Sequence, residues 1–337
     1  MVCAGTREEL KKLHEELNKD IVFKCKGILG PDKSRGDIQE AVILNRLVRY
    51  VETDGRPAIE IEPDPRHADI VIKSLGLANG NSKPVSAPGV KQKAGGEQTA
   101  LTGVKVREYR SLAMRVNFLA EDRDDLKFPA KELARHMKEP TVAAWEKLKH
   151  LGRYLLGCPR VVLVYRWQTQ QRKLMQYVDS DYAGCVLTRK STNAGVLMHG
   201  CHKLQGYSST QAVPALSSGE SEFYAGVKGV ASGLGSQTYA KDLGVELQLE
   251  VLSDSSAARA MMLRQGLGKA KHISTQFLWV QQMFADKRAT LKKVDTKKNL
   301  SDVNTKCLDG KQLWELMYKI GYEKREGRSK SALKAQM

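Results

Sequence analysis

What most narrows the folds open to this chain is how four acidic residues fall against its hydrophobic runs. Asp179 directly follows the run Leu174-Met175-Gln176-Tyr177-Val178, and Asp254 directly follows the run at 247–253. Glu222 lies in Ser217-Ser218-Gly219-Glu220-Ser221-Glu222-Phe223-Tyr224, early in a long helical stretch, and Asp302 lies in Asn299-Leu300-Ser301-Asp302, at the start of another. Two of the acids therefore sit at the exits of predicted strands and two on or at the start of predicted helices. A fold that gathers these elements makes a cage of carboxylates. Such a cage is too negative to stand without cations, which implies divalent metal and a phosphate substrate.

The hydrophobic pattern around the acids gives the fold class. From residue 161 the apolar period shortens: 161–165, 174–178, 193–199 and 203–207 read as strands. A long helix is expected over 217–243, a strand over 247–253, a helix through Arg264 and another over 272–287. A strand over 290–294 and a closing helix from about Leu300 complete the order. Strands followed by alternating helices and strands make a mixed α/β sheet with flanking helices.

Upstream, a charged helix over 7–18 precedes a hairpin in which Asp54-Gly55 turns between Leu47-Val48-Arg49-Tyr50-Val51 and Ala58-Ile59-Glu60-Ile61. A short helix over 67–75 is stopped by Gly76. Residues 78–105 are rich in Gly, Ser, Pro, Lys and Gln and read as a linker. Residues 106–157 read as helical: Leu112, Val116 and Leu119 share a face, as do Trp145, Leu148, Leu151 and Leu155. The expected division is 1–77, the linker 78–105, helices over 106–160, an α/β unit over 161–320 and a basic tail over 321–337.

Of the 337 residues, 55 are Lys or Arg and 38 are Asp or Glu, a net charge of +17 that is spread along the chain. That balance suits a polyanionic partner, although a solvated lysine-rich surface would give it too. No apolar run is long enough for a membrane span, and no signal-peptide pattern opens the chain. The six cysteines form no C-x-x-C pair, which points to a reducing compartment rather than a disulfide framework. His199, Cys201 and His202 fit a tight turn between strands better than a zinc site, because a fourth ligand is missing.

Six motifs follow in order: Val178-Asp179-Ser180-Asp181-Tyr182-Ala183-Gly184, Arg189-Lys190-Ser191-Thr192, Ala215-Leu216-Ser217-Ser218-Gly219-Glu220-Ser221-Glu222-Phe223-Tyr224, Ser253-Asp254-Ser255-Ser256-Ala257, Lys271-His272-Ile273 and Leu300-Ser301-Asp302-Val303-Asn304-Thr305-Lys306. Together they resemble the ribonuclease H domain of copia-type long-terminal-repeat retrotransposon Pol polyproteins. Upstream, Ser74-Leu75-Gly76-Leu77 with Lys83-Pro84-Val85-Ser86-Ala87-Pro88, Tyr109-Arg110-Ser111-Leu112, Arg135-His136-Met137 and Arg153-Tyr154-Leu155 are similar to the end of the same polyprotein's reverse transcriptase. The resemblance implies a ribonuclease H-like, mixed five-stranded sheet, preceded by a smaller remnant of the palm, thumb and connection.

The chain departs from that pattern in three places. The paired-aspartate hairpin Tyr-x-Asp-Asp is missing and Met1-Val2-Cys3-Ala4-Gly5 is similar to the strand after it, so a truncated polyprotein without polymerase activity is expected. The helix bearing Glu222 contains Gly226, Gly229, Gly233 and Gly235, each of which costs a helix about 0.5–1 kcal/mol unless close packing compensates. The loop Thr296-Lys297-Lys298-Asn299 lacks the histidine that many cellular ribonucleases H place there.

The resemblance implies a metal-dependent endonuclease that cuts the RNA strand of RNA–DNA hybrids with two Mg²⁺ ions, Mn²⁺ substituting. Asp179 would be shared by both ions, Glu222 and Asp254 would hold the ion on the leaving-group side, and Asp302 the ion that activates water. Asp181 rivals Asp179, since strand alternation places both on one face. Glu220 rivals Glu222, although a step of two on a helix points them about 200° apart. Lys190, Lys269, Lys271, Lys297 and Lys298 are candidate phosphate contacts, and His272 a structural or phosphate-contact residue. An intracellular setting, a cytoplasmic particle or the nucleus, is expected. The alternative is a catalytically inactive nucleic-acid-binding relic of the same polyprotein.

Overall fold

The computed structural model describes residues 3–90 and 99–333. Met1 and Val2, residues 91–98 of the predicted linker and 334–337 of the predicted tail lie outside the described residues.

In chain order the elements are α1 (Arg7–Asp20), β1 (Glu40–Ile43), β2 (Arg46–Thr53), β3 (Arg56–Glu62), α2 (Arg66–Ser74), α3 (Val104–Ala120), α4 (Asp124–Ala134), α5 (Val142–Gly157) and β4 (Arg160–Arg166). Then follow β5 (Lys173–Asp181), β6 (Thr192–His199), β7 (His202–Thr210), α6 (Ser218–Asp242), β8 (Gln248–Ser253), α7 (Ser256–Leu263), α8 (Trp279–Ala285), β9 (Ala289–Lys293), α9 (Gly310–Ile320) and β10 (Tyr322–Arg325).

The strands form two five-stranded sheets, ordered β1-β2-β3-β4-β10 and β7-β6-β5-β8-β9. The second is the mixed sheet that the resemblance implies. Its first three strands form an antiparallel meander, while β8 and β9 run parallel to β5. The β2–β3 hairpin turns where expected, with Asp54 and Gly55 both at positive φ (54° and 69°) as a two-residue turn of this hand requires.

Four assignments differ from the sequence reading. Arg160–Arg166 pairs with β3 and β10, so it belongs to the first sheet rather than opening the α/β unit, and Tyr322–Arg325 of the predicted tail is a strand of that same sheet. A continuous apolar run such as Val161-Val162-Leu163-Val164 is buried on both faces and carries no mark of which sheet it joins. The segment expected as one helix over 272–287 is a turn at His272, a 3-10 turn at Thr275–Phe277 and the short α8. The closing segment begins as a 3-10 helix over Leu300–Asn304, and α9 follows it.

Strand alternation divides the core. Val196 and Met198 of β6 join a cluster with Leu112, Val116, Leu148, Leu151 and Leu155 of α3 and α5, Leu163 of β4 and Met317 of α9. Leu197, between them, joins Leu174 and Val178 of β5, Phe223 and Val230 of α6, and Val251 of β8 on the other side. The helices α3, α4, α5 and α9 therefore share one core with strands of both sheets.

A buried polar node ties the sheets at the start of α4. Lys203 of β7 donates to Asp124 (2.8 Å) and to the hydroxyl of Tyr322 on β10 (2.9 Å). Beside it, Arg123 and Asp125 pair at 2.6 Å, with Asp125 also accepting from the Tyr154 hydroxyl at 2.8 Å. Asp124, Asp125 and Arg123 are all essentially inaccessible to solvent. Removing one partner of a buried pair strands the other charge. Asp124→Ala is expected to cost about 3–5 kcal/mol in urea unfolding; a cost under about 1 kcal/mol would remove this node from the account.

The glycines of α6 are explained by close approach. A Cβ at Gly226 would lie 2.5 Å from Met262 Sδ, at Gly229 2.2 Å from Val178 Cγ1, and at Gly233 2.5 Å from Leu249 Cδ1, whereas at Gly235 it would meet nothing within 4 Å. Gly235→Ala is accordingly expected to stabilise the protein by about 0.5–1 kcal/mol, and Gly229→Ala to destabilise it by about 1–3 kcal/mol through overpacking. Urea unfolding of the two variants checks both signs.

Candidate metal centre

Asp179 lies inside β5 rather than just beyond it, because pairing with β6 continues to Asp181. Asp254 follows the last residue of β8, the parallel neighbour of β5, so the sheet itself brings these two acids to one end. Glu222 comes from the first turns of α6, which Ser217 caps by accepting from the backbone N–H of Glu220 at 3.2 Å. One carboxylate oxygen from each of Asp179, Glu222 and Asp254 lies within 4.8 Å of the other two. Among the described residues this is the group of acids, histidines and cysteines that could hold a metal ion.

Buried hydrogen bonds hold the three in place. Ser180 and Ser221, the neighbours of Asp179 and Glu222, are hydrogen-bonded through their hydroxyls. Gln211 donates to the Ser221 carbonyl (2.8 Å) and to Asn193 (2.7 Å). The Thr305 hydroxyl donates to Asp179 Oδ2. Asn299 donates to the Val178 carbonyl at 3.0 Å and accepts from Ser301, fixing the 3-10 helix that carries Asp302 against β5.

Asp302 stands beside Asp179, outside the group of three. Lys306 lies between them, its Nζ 2.8 Å from Asp302 Oδ1 and 3.1 Å from Asp179 Oδ2. The sequence reading quoted Lys306 within a motif but gave it no role. Its signal was the four-residue spacing from Asp302, which places opposite charges together on one helical face.

The electrostatics record the crowding. Burial, then the negative charges of Asp179 and Asp254, hold the Glu222 carboxyl well above the usual carboxylate range. Burial and Asp179 also raise that of Asp302, against the pull of Lys306. The Lys306 ammonium is stabilised by Asp179 and Asp302 in spite of its burial.

The rival acids have other partners. Asp181 shares the face of Asp179 but turns to Thr192, accepting from its backbone N–H and, at 3.1 Å, from its hydroxyl; burial pushes its carboxyl up to about 6. Glu220 is buried and accepts from Tyr224 (2.8 Å) and the Leu216 N–H (3.0 Å), with His272 Nε2 at 2.8 Å. His272 is thus committed to the start of α6. Lys269, Lys271, Lys297 and Lys298 are exposed, and Lys190 is half-buried. The pair Lys269 and Lys271 flanks the His272 contact to α6, and Lys297 and Lys298 immediately precede Asn299. His199 and His202 each meet a backbone carbonyl, of Gln171 and Arg166, in the β6–β7 turn.

No family model matches the chain. The chain is 27% identical over 247 residues to the retrovirus-related Pol polyprotein from transposon RE2 of Arabidopsis thaliana, covering 71% of this chain and 17% of the relative. It is 23% identical over 301 residues to that from transposon TNT 1-94 of Nicotiana tabacum, covering 86% and 22%. The chain is related to the Pol polyproteins of copia-type retrotransposons. An uncharacterized mitochondrial protein of Arabidopsis thaliana, AtMg00810, is 26% identical over 160 residues, 48% of this chain and 65% of that protein. The matches thus span less than two thirds of these relatives. Among solved structures, LC11-RNase H1 in complex with RNA/DNA hybrid covers 40% of this chain at 16% identity with a TM-score of 0.28. At that score the fold rests on the strand order itself.

The donor set of this Pol relative fits a hard divalent ion. It offers carboxylate oxygens, and Glu222 Oε2 is buried without a hydrogen-bond partner. Glu222→Gln is expected to weaken Mn²⁺ binding by at least about 10-fold, the scale on which even residues behind a ligand act. Glu220→Ala is expected to leave Mn²⁺ affinity unchanged while costing about 1–3 kcal/mol of stability, through the buried partners it abandons. Calorimetric titration with Mn²⁺ and thermal melting separate the two; the reverse pattern would exchange the roles of the two glutamates.

Proposed function

We propose that the chain is a divalent-metal-dependent endonuclease of the ribonuclease H type, cleaving the RNA strand of RNA–DNA hybrids. The observation that carries this reading is the convergence of Asp179, Glu222 and Asp254 at one end of the mixed sheet, with Asp302 beside Asp179. A bound Mg²⁺ or Mn²⁺ supplies electrophilic stabilisation of phosphate and activation of water.

The chain's own residues do the positioning. Asp179 is the central ligand: the Thr305 hydroxyl fixes one of its oxygens, and the Ser180–Ser221 contact sets its distance from Glu222. Asp254 closes the set from the parallel neighbour strand. The exposed Lys269, Lys271, Lys297 and Lys298 supply phosphate contacts that hold a duplex without reading its sequence, and Lys190 adds another. Recognition of a hybrid then rests on helix shape and 2′-hydroxyls.

The test is cleavage of a labelled hybrid by the purified chain with Mg²⁺ or Mn²⁺. Asp179→Asn keeps size and shape and is expected to lower the rate by about 10²-fold or more, while hybrid binding without metal persists. Cleavage by Asp179→Asn at the parent's rate would end the metal-centre reading. Well-folded parent protein that binds hybrid but cuts nothing with either metal would favour the inactive binding relic.

Binding should also weaken with salt, log affinity falling with log salt at about −0.9 per neutralised phosphate on a duplex. Filter-binding titrations from low to moderate salt check this; a flat profile would contradict a basic surface built for phosphate.

A further inference from the structure

The ammonium of Lys306 occupies a defined place in the acidic site. Its Nζ bridges Asp302 Oδ1 and Asp179 Oδ2, at 2.8 and 3.1 Å. The backbone beneath it is fixed, since the Lys306 N–H donates to the Asp302 carbonyl at 3.2 Å and the preceding Thr305 donates its hydroxyl to Asp179. The side chain is 38% exposed, so its head can move out to solvent. Asp179 belongs both to this pair and to the group of three with Glu222 and Asp254. The site therefore has two halves that share Asp179. One half is three carboxylates with an unpartnered Glu222 oxygen; the other is two carboxylates already bridged by a cation belonging to the chain.

A divalent ion placed between Asp179 and Asp302 would meet the Lys306 ammonium that already bridges the two carboxylates. An ammonium can neutralise and orient those oxygens through its three N–H donors. Being already attached to the chain, it also competes at a high effective concentration.

We propose that Lys306 is a tethered counter-cation that fixes the metal stoichiometry of the site. One divalent ion binds tightly at Asp179, Glu222 and Asp254, and a second enters between Asp179 and Asp302 only by displacing the Lys306 ammonium. This rests on the metal-dependent reading above and departs from two equivalent ions. It makes Lys306 a positioning residue for Asp179 and Asp302 rather than a group that meets the reacting atoms.

The experiment is a Mn²⁺ titration of the purified full chain, without nucleic acid, with free Mn²⁺ read by electron paramagnetic resonance. The parent should bind one ion tightly and a second at least about tenfold more weakly. Lys306→Met removes the bridging charge and should raise the affinity of the second ion by about tenfold or more, so that two ions bind with comparable strength. Lys306→Arg keeps a cation and should keep the parent's pattern. Thermal melting gives an independent readout. Lys306→Met leaves the carboxylates uncompensated, so it should melt lower than the parent without metal and gain more from saturating Mn²⁺.

If Lys306→Met and the parent bind the same number of ions with the same affinities, the counter-cation role is overturned while the metal centre stands. A stability loss in Lys306→Met that Mn²⁺ does not recover assigns Lys306 to packing and also overturns it. If neither protein binds Mn²⁺, the metal-centre reading itself falls, and this inference with it.

Discussion

Three carboxylates held within 4.8 Å of one another repel, and that repulsion is the constraint around which this half of the protein is organised. Burial strengthens it, because the charges are only partly screened by water. The fold answers in two ways. Hydrogen bonds from Thr305, Asn299 and the Ser180–Ser221–Gln211 network hold the backbones that would otherwise separate. A lysine from the same segment neutralises Asp179 and Asp302 on one flank, leaving the other flank open to a cation from outside.

The approach of α6 to the sheet sets this geometry. Gly229 lies against Val178, the residue immediately before Asp179, and Gly233 against Leu249 of β8, the strand that leads to Asp254. A side chain at either position would push the helix carrying Glu222 away from the strands carrying the other two acids. The helix propensity lost to glycine is thus exchanged for distance at the site. Behind the sheet, the Asp124–Lys203–Tyr322 node fixes β7 to β10 through the start of α4. The α/β sheet and the first sheet thereby rest on one helical layer.

Much of this was legible in the sequence. The placement of Asp179 and Asp254 at the ends of apolar runs, and of Glu222 early in a long helical stretch, pointed to three acids that the structure brings together. The 200° argument separated Glu222 from Glu220, although it left unseen that Glu220 is itself buried and bound to Tyr224 and His272. The division of the strands between sheets was not legible: Arg160–Arg166 pairs with β3 on one side and, across more than 150 residues of chain, with Tyr322–Arg325 on the other, and local periodicity holds no record of such pairing. Lys306 was missed because a lysine near an aspartate is usually a solvated surface pair; only the fold shows that its second partner is Asp179, on a distant strand.

The account stands or falls on whether the acids at the end of the mixed sheet hold a metal ion. A crystal structure of the full chain grown with Mn²⁺, with data collected for anomalous scattering from manganese, measures this directly. The account predicts an anomalous peak within carboxylate-ligand distance of Asp179, Glu222 and Asp254, with Lys306 remaining on Asp302. Manganese bound elsewhere, or a site in which the three carboxylates have moved apart with no ion between them, would contradict it.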